Sequence, residues 1–300
     1  MANTTRRVAR FARDAARSPK HAAELVVARL TRRPPASYMG DGRVLITTQN
    51  RAHLLIDGRD ISIAPSLIAT GDFDPPFTWF LRRTLRAGDT YVDVGANIGL
   101  YVVTAAKHVG PAGRVIAFEP SPRMQGFLGD NIAMNGQKNQ VSVRPVAVGA
   151  ASGRAVLGVP RNAAGVAALG LTNLDDFPVG VVIDEIDVPV VCLDDDLATA
   201  GSVSVLKIDV EGGEGNVLVG MRRLIAERRV QTIVLEVNQR AHDRTGNQSG
   251  WDTMARELHA LDSEGYSWST LDRLGARCAT TLEQALTETF IAHLLADAPL

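Results

Sequence analysis

Cysteine is nearly missing from this 300-residue chain. Cys192 and Cys278 stand alone without the spacing of metal ligands, and such sparse use points to a reducing compartment. Long hydrophobic runs are missing too: no stretch of about 18 apolar residues exists to cross a bilayer, and the basic N-terminus lacks the apolar centre of a secretory signal. A soluble, cytoplasmic protein is therefore expected. Net charge is also lacking, at −1, so no global field selects nucleic acid, and the main part of the chain offers no basic, aromatic-lined surface for it. What the chain does have is apolar bulk. With 45% hydrophobic residues it can bury a full core, enough for one α/β domain with additions or for two small domains.

Charge is unevenly distributed. Within residues 1–40, nine bases face only Asp14 and Glu24, an excess of +7 that leaves −8 for the remainder of the total. Val8, Phe11, Ala12 and Ala15 form one helical stripe among those arginines, and Pro34-Pro35 ends the pattern. Residues 1–40 thus read as a basic helical leader, either solvated or touching an anionic membrane surface or a partner through residues 1–35. Alternating apolar runs from Arg43 to Ile63, with Asp57-Gly58 as a turn, predict an accessory hairpin within residues 41–74.

From Pro75 to the end the chain alternates strand and helix. Strands are expected at about 90–95, 114–119, 141–147, 203–209, 230–236, 265–270 and 288–294, and helices at about 99–109, 121–135, 212–228 and 250–262. This rhythm predicts a mostly parallel seven-stranded sheet with helices on both faces, and a ligand site at the carboxyl ends of the strands. Between about 150 and 193 the rhythm breaks into glycine- and alanine-rich sequence followed by acids, an insertion expected to lie over the site.

Two segments carry the chemistry. In Tyr91-Val-Asp-Val-Gly-Ala-Asn-Ile-Gly99, Val92 and Val94 suit a buried strand, and Gly95 and Gly99 let the backbone turn tightly beside a ligand. Twenty residues further on, Glu119 ends the next strand, where a carboxylate can accept both hydroxyl hydrogens of a ribose. Asn97 and Leu100 replace the second and third glycines of a dinucleotide fingerprint, so a nicotinamide oxidoreductase is disfavoured. Asp93 would repel a pyrophosphate but suits a cationic amino-acid moiety such as that of S-adenosylmethionine.

The second segment, Val203-Ser-Val-Leu-Lys-Ile-Asp-Val-Glu-Gly-Gly-Glu214, gathers Asp209, Glu211 and Glu214 at a strand exit. Glu214 reads equally well as a helix-terminus residue or as part of the site. Asp209 has no propensity reason to end an apolar strand and is expected on the ligand side. At the next strand tip, Glu236 and Asn238 beside Asp209 could offer oxygen ligands to Mg²⁺, and His242 beyond them could act as a base.

Asp93-Val-Gly-Ala-Asn-Ile-Gly99, Gly113-Arg-Val-Ile-Ala-Phe-Glu-Pro120, Asn131-Ile-Ala-Met-Asn-Gly136 and Leu206-Lys-Ile-Asp-Val-Glu-Gly-Gly-Glu214 resemble, in order and spacing, the motifs of FkbM-type S-adenosylmethionine-dependent methyltransferases. The resemblance covers about residues 75–240. It implies the Rossmann-like fold of class I methyltransferases and O-methylation of a sugar, glycolipid or other natural product. By that likeness Asp93, Gly95, Asn97 and Gly99 line the methionine side, Glu119 binds the ribose, Ala147 or Val146 approaches the adenine, and Asp209 and Glu211 stand at the reaction side. Gly213 and Gly215 around Glu214, and the 155–190 stretch, depart from the family pattern. An alcohol must lose its proton as it attacks a methyl group, and Asp209, His242 or a metal could each promote this, with Asp209 preferred. The rival from another class is a catalytically silent scaffold that keeps the pocket. A scaffold has no use for the carboxylate cluster, which favours chemistry.

Overall fold

The structure is a computed structural model that describes residues 36–171, 181–238, 248–288 and 290–299. Of the helical leader expected over residues 1–40, residues 1–35 lie outside the described residues, as does His242, while Ser37–Gly40 form a strand and not a helix. The described chain opens with three strands, β1 (Ser37–Gly40), β2 (Arg43–Thr47) and β3 (His53–Asp57), then helices α1 (Ala64–Thr70) and α2 (Pro75–Thr84). The nucleotide-binding pattern follows as β4 (Thr90–Val94), α3 (Leu100–Val109), β5 (Arg114–Phe118), α4 (Pro122–Met134) and β6 (Val141–Arg144). Next comes β7 (Ala147–Val148), and the insertion supplies β8 (Gly153–Pro160), β9 (Ala168–Leu169) and β10 (Ile183–Val191). After α5 (Leu193–Asp196) come β11 (Val203–Ile208), α6 (Glu214–Val219), α7 (Arg222–Ala226), β12 (Val230–Asn238) and α8 (Gln248–Ser263). The chain closes with β13 (Ser267–Leu271), β14 (Arg277–Ala279), α9 (Leu282–Leu286) and β15 (Phe290–Asp297).

The main sheet runs β14-β13-β15-β12-β11-β4-β5-β6. All seven strands expected from the sequence are in it, the one expected at 141–147 only as far as Arg144 because Ala147 pairs with β10 in another sheet, and β14 adds an antiparallel edge to β13. Strands β12, β11, β4, β5 and β6 pair in parallel, while β15 runs against both β12 and β13. Because side chains alternate across a strand, each central strand feeds two cores. Val92, Val94, Leu206, Ile208, Ile233 and Leu235 pack with Val217, Leu218, Leu224, Met254 and Leu258 on one face. Tyr91, Val205, Val234 and Leu295 pack with Phe77, Leu81, Val102 and Ala106 on the other. Strand order reverses between β4 and β11, and the crevice above that point is where a parallel sheet binds ligands.

Two sequence expectations change in detail. The single helix expected over 212–228 is two short ones, because Gly220 lies against the backbone of Gly149, where a Cβ would collide with its carbonyl oxygen. Gly220 instead accepts the backbone N–H of Asp194, and the Asp194 carboxylate caps the second helix at Arg223 N and Leu224 N, both 2.9 Å away. The accessory hairpin has an additional exposed strand, β1, and its turn between β2 and β3 is Thr48–Ala52, closed by Thr48 N to Ala52 O at 2.8 Å. Asp57-Gly58 does not join the hairpin strands: Asp57 ends β3 and opens a turn beyond it, its carbonyl oxygen accepting Asp60 N at 3.1 Å. Its buried carboxylate pairs with Arg59 and with Arg123 of α4.

One side chain ties this small sheet to the ligand turn. Buried Asn131 of α4 accepts Leu55 N at 2.6 Å and donates to Leu55 O at 3.0 Å and Ile98 O at 2.7 Å. It therefore pairs with β3 as a neighbouring strand would while holding the loop after β4. The insertion sheet, ordered β7-β10-β8-β9, shares a core with the small sheet through Leu157, Val159, Val188, Ile46, Leu54 and Ile56.

Candidate active site

The loop after β4 is shaped by one close approach. Gly95 has φ +87°, and a Cβ there would run into the carbonyl oxygen of Asp209 on the neighbouring strand, so only glycine lets the two strand ends lie side by side. Gly95 N and Ala96 N both donate to Phe118 O at 3.0 Å. Asn97, at φ +50°, then directs its own N–H to Glu119 Oε2 at 2.7 Å. Ser121 N reaches the other oxygen, Oε1, at 2.8 Å. Each carboxylate oxygen carries two lone pairs, so Glu119 is fixed by the backbone and keeps acceptor capacity. Burial pushes its carboxyl up to about 7, opposed by those two N–H groups.

Glu119 stands in the wall of a cavity of about 310 Å³ over the β4–β11 crevice. Gly95, Asn97, Phe118, Val146, Ala147, Asp209, Glu211 and Glu236 also line it, and the insertion contributes Leu157 and residues 164–169. The volume and the largely apolar wall with a few converging polar groups are those of a small-molecule site. Gly99 has φ +87° and lets the chain enter α3, but it is not in the wall.

Lys207 organises the polar end. Its side chain is 6% exposed, with Nζ 2.9 Å from Asp209 Oδ2 and 3.6 Å from Asp93 Oδ1, and it lies 5.2 Å from the centre of the Tyr101 ring. Burial opposes its charge, but Asp209 and Asp93 outweigh burial and hold the ammonium well above its ordinary range. Asp93, its neighbour across the strands, is fully buried; burial raises its carboxyl to about 6 against the pull of Lys207. Asp93 does not reach the cavity wall, because its place in the strand buries it completely, and its charge acts through Lys207. Glu214 is buried too, and its Oε1 accepts Val210 N and Gly212 N, both at 3.2 Å. It latches the loop in which Glu211 adopts φ +53°, and burial lifts its carboxyl to about 7.

The oxygen set weighed for Mg²⁺ does not suit a metal ion. Lys207 already occupies Asp209 as a cation, and Asn238 turns its Nδ2 donor toward Glu236 Oε1 at 2.8 Å. Burial and then Asp209 raise the Glu236 carboxyl to about 8. Among the described residues no group of three or more His, Cys, Asp and Glu is placed to hold a metal.

A second pocket, of about 240 Å³, adjoins the first across a shared wall of Phe73, Tyr101, Lys207, Asp209 and Glu236. Its remaining polar lining was not singled out from the sequence: Asp74 just before α2, and His293 on β15, whose Nε2 lies 2.6 Å from Asp74 Oδ2. Tyr101 donates its hydroxyl to the same carboxylate oxygen at 3.1 Å. Tyr101 and His293 each interrupt an apolar run, and Asp74 stands before Pro75-Pro76 at the start of α2.

Residues 93–267 match the family model described as the methyltransferase FkbM domain. The chain belongs to the FkbM methyltransferase family. The methyltransferase domain of that family spans residues 93–267 of the chain. Similar solved structures include a methyltransferase FkbM from Methylobacillus flagellatus KT, with 19% identity and a TM-score of 0.42, covering 70% of this chain and 43% of that one. An O-methyltransferase from Bacillus cereus in complex with SAH has 13% identity and a TM-score of 0.44, covering 79% of this chain and 86% of that one. A putative O-methyltransferase from Klebsiella pneumoniae has 10% identity and a TM-score of 0.44, with coverages of 75% and 80%. The chain thus spans less than half the length of the Methylobacillus protein. No curated protein sequence matches it.

Proposed function

We propose that this methyltransferase transfers a methyl group to a hydroxyl of a sugar, glycolipid or related natural product, with the methyl donor in the larger cavity. The observation that carries this reading is the order of groups along that cavity: backbone-fixed Glu119 at one end, and Lys207-anchored Asp209 at the wall shared with the second pocket. Glu119 accepts the ribose hydroxyls, Gly95 and Asn97 bring backbone close to the amino-acid moiety, and Val146 and Ala147 supply apolar contact for the adenine. The carboxylates near Lys207 favour a cationic ligand.

S-adenosylmethionine supplies an activated methyl group on a sulfonium, so the protein's work is alignment and proton handling. Asp209 stands where it can hydrogen-bond the acceptor hydroxyl, and Lys207 keeps its carboxylate in one orientation. Glu211 and residues 164–169 of the insertion line the same cavity as Glu119, where they would enclose the methyl donor. Contact of the basic leader with an anionic membrane would bring the site to a lipid-linked acceptor. The test is to incubate the pure protein with S-adenosylmethionine and cell-extract glycolipids and sugars, and to follow products heavier by CH₂. Products bearing a new methyl ether support the reading; transfer only to nitrogen, or to nucleic acid, contradicts it.

A further inference from the structure

Proton removal needs a group that faces the acceptor and is free to take the proton. Asp209 is compromised for that task, since Oδ2 is already given to a buried ammonium at 2.9 Å. Glu236 is likewise engaged, since its Oε1 accepts from Asn238 Nδ2 at 2.8 Å. The second pocket contains a different arrangement. His293 is 10% exposed, and its ring stacks on Phe77 with centroids 5.0 Å apart and planes within 9°. Asp74 faces its Nε2 at 2.6 Å and is itself held by the Tyr101 hydroxyl. An imidazole that donates its Nε2 hydrogen to a carboxylate carries its lone pair on Nδ1, and the carboxylate stabilises the imidazolium when that nitrogen takes a proton.

We propose that the second pocket is the acceptor site and that His293, oriented by Asp74, is the base that receives the acceptor's hydroxyl proton. This rests on the methyltransfer reading above. As the acceptor oxygen forms its bond to the methyl carbon, the carbon–sulfur bond breaks and its electron pair stays on sulfur. The hydroxyl proton passes to His293 Nδ1 and then to solvent, leaving a methyl ether and a neutral thioether. The titratable and charged groups around the pocket are Asp74, Tyr101, Lys207, Asp209 and Glu236. With Asp74 and Asp209 in the wall, the pocket disfavours an anionic acceptor. Phe73 and Phe290, 44% and 54% exposed, offer apolar faces to the ring of a neutral hydroxyl compound. Asp74 acts as a positioning residue, and His293 as a catalytic one.

The test uses the full chain saturated with S-adenosylhomocysteine, and reads the His293 imidazole by nitrogen-15 resonance across pH. The expected result is an Nε2–H tautomer of the ring and an Asp74→Ala variant in which that preference is lost. The second arm measures methylation of the neutral glycolipid and sugar fraction. His293→Phe keeps the stacking on Phe77 and should lower turnover by about 10²–10⁴-fold, with S-adenosylhomocysteine affinity within about twofold. A proton on Nδ1, or a His293→Phe variant with wild-type turnover, overturns the proposal. If no methyl ether forms with the wild type, the acceptor reading fails, and the resonance result still decides the Asp74–His293 pair.

Discussion

Glu119 and Asp209 are the two side chains on which ligand binding and chemistry separate. Glu119→Gln keeps the size of the side chain but removes its charge, and should weaken S-adenosylhomocysteine binding by about tenfold to a little over a hundredfold, the value of a charge-assisted contact of roughly 1.5–3 kcal/mol. Asp209→Asn should do the reverse, lowering turnover at least about tenfold by loosening the alignment of the acceptor hydroxyl while affinity measured by calorimetry stays within a few-fold. Unchanged turnover with a verified acceptor would make Asp209 a structural partner of Lys207 only. Both acids were legible in the sequence because a carboxylate closing an apolar strand violates the strand's own pattern. Lys207 was visible only as a neighbour. Its role depends on pairing between β11 and β4, which sets Lys207 beside Asp93, a register that spacing along one strand does not reveal. Asp74, Tyr101 and His293 come from three distant segments, and no local pattern joins them.

At the scale of elements, the brace between α4 and the ligand loop is the most exposed to test. Asn131→Ala would leave Leu55 N, Leu55 O and Ile98 O without their side-chain partner in the interior. The expected cost is about 2–4 kcal/mol, since each buried unpaired group costs about 1–3 kcal/mol and the loop can relax in part. Denaturant unfolding would read this loss, and S-adenosylhomocysteine affinity should fall with it because the loop carrying Asn97 loses its support. A variant as stable and as tightly binding as the wild type would remove the brace from the account. The strand–helix rhythm that defines this scale was readable from periodicity, including all seven expected strands. The break at Gly220 was not, because the apolar stripe continues across it and the interruption comes from a long-range approach to Gly149. Strand β1 was hidden for the opposite reason: it is exposed and carries no apolar alternation.

Across the whole molecule, the buried carboxyls couple stability to pH. Asp93, Glu119, Glu214 and Glu236 have folded values raised from 3.8 or 4.5 to about 6, 7, 7 and 8, so the folded state binds more protons than the unfolded one between those limits. Their contribution is fully present below the unfolded values and is lost as pH rises through the folded ones. With the other groups equal, Tm should fall between pH 5 and pH 8, and a Tm that rises over this range would contradict the burial of these acids. The leader makes a separate prediction. Deleting residues 1–35 should abolish sedimentation with anionic liposomes, high salt should do the same to the intact protein, and turnover on a soluble acceptor should survive. Equal liposome binding with and without the leader would assign it another role. The central claim, a methyl-donor site built on Glu119, is tested most directly by calorimetric titration of the intact protein with S-adenosylhomocysteine at pH 6 and pH 8. Binding should be one to one, tighter at pH 8, and accompanied by proton release at pH 6, because the ribose hydroxyls require the ionised carboxylate; NADH should give no heat of binding. Binding of NADH with none of S-adenosylhomocysteine would contradict the account.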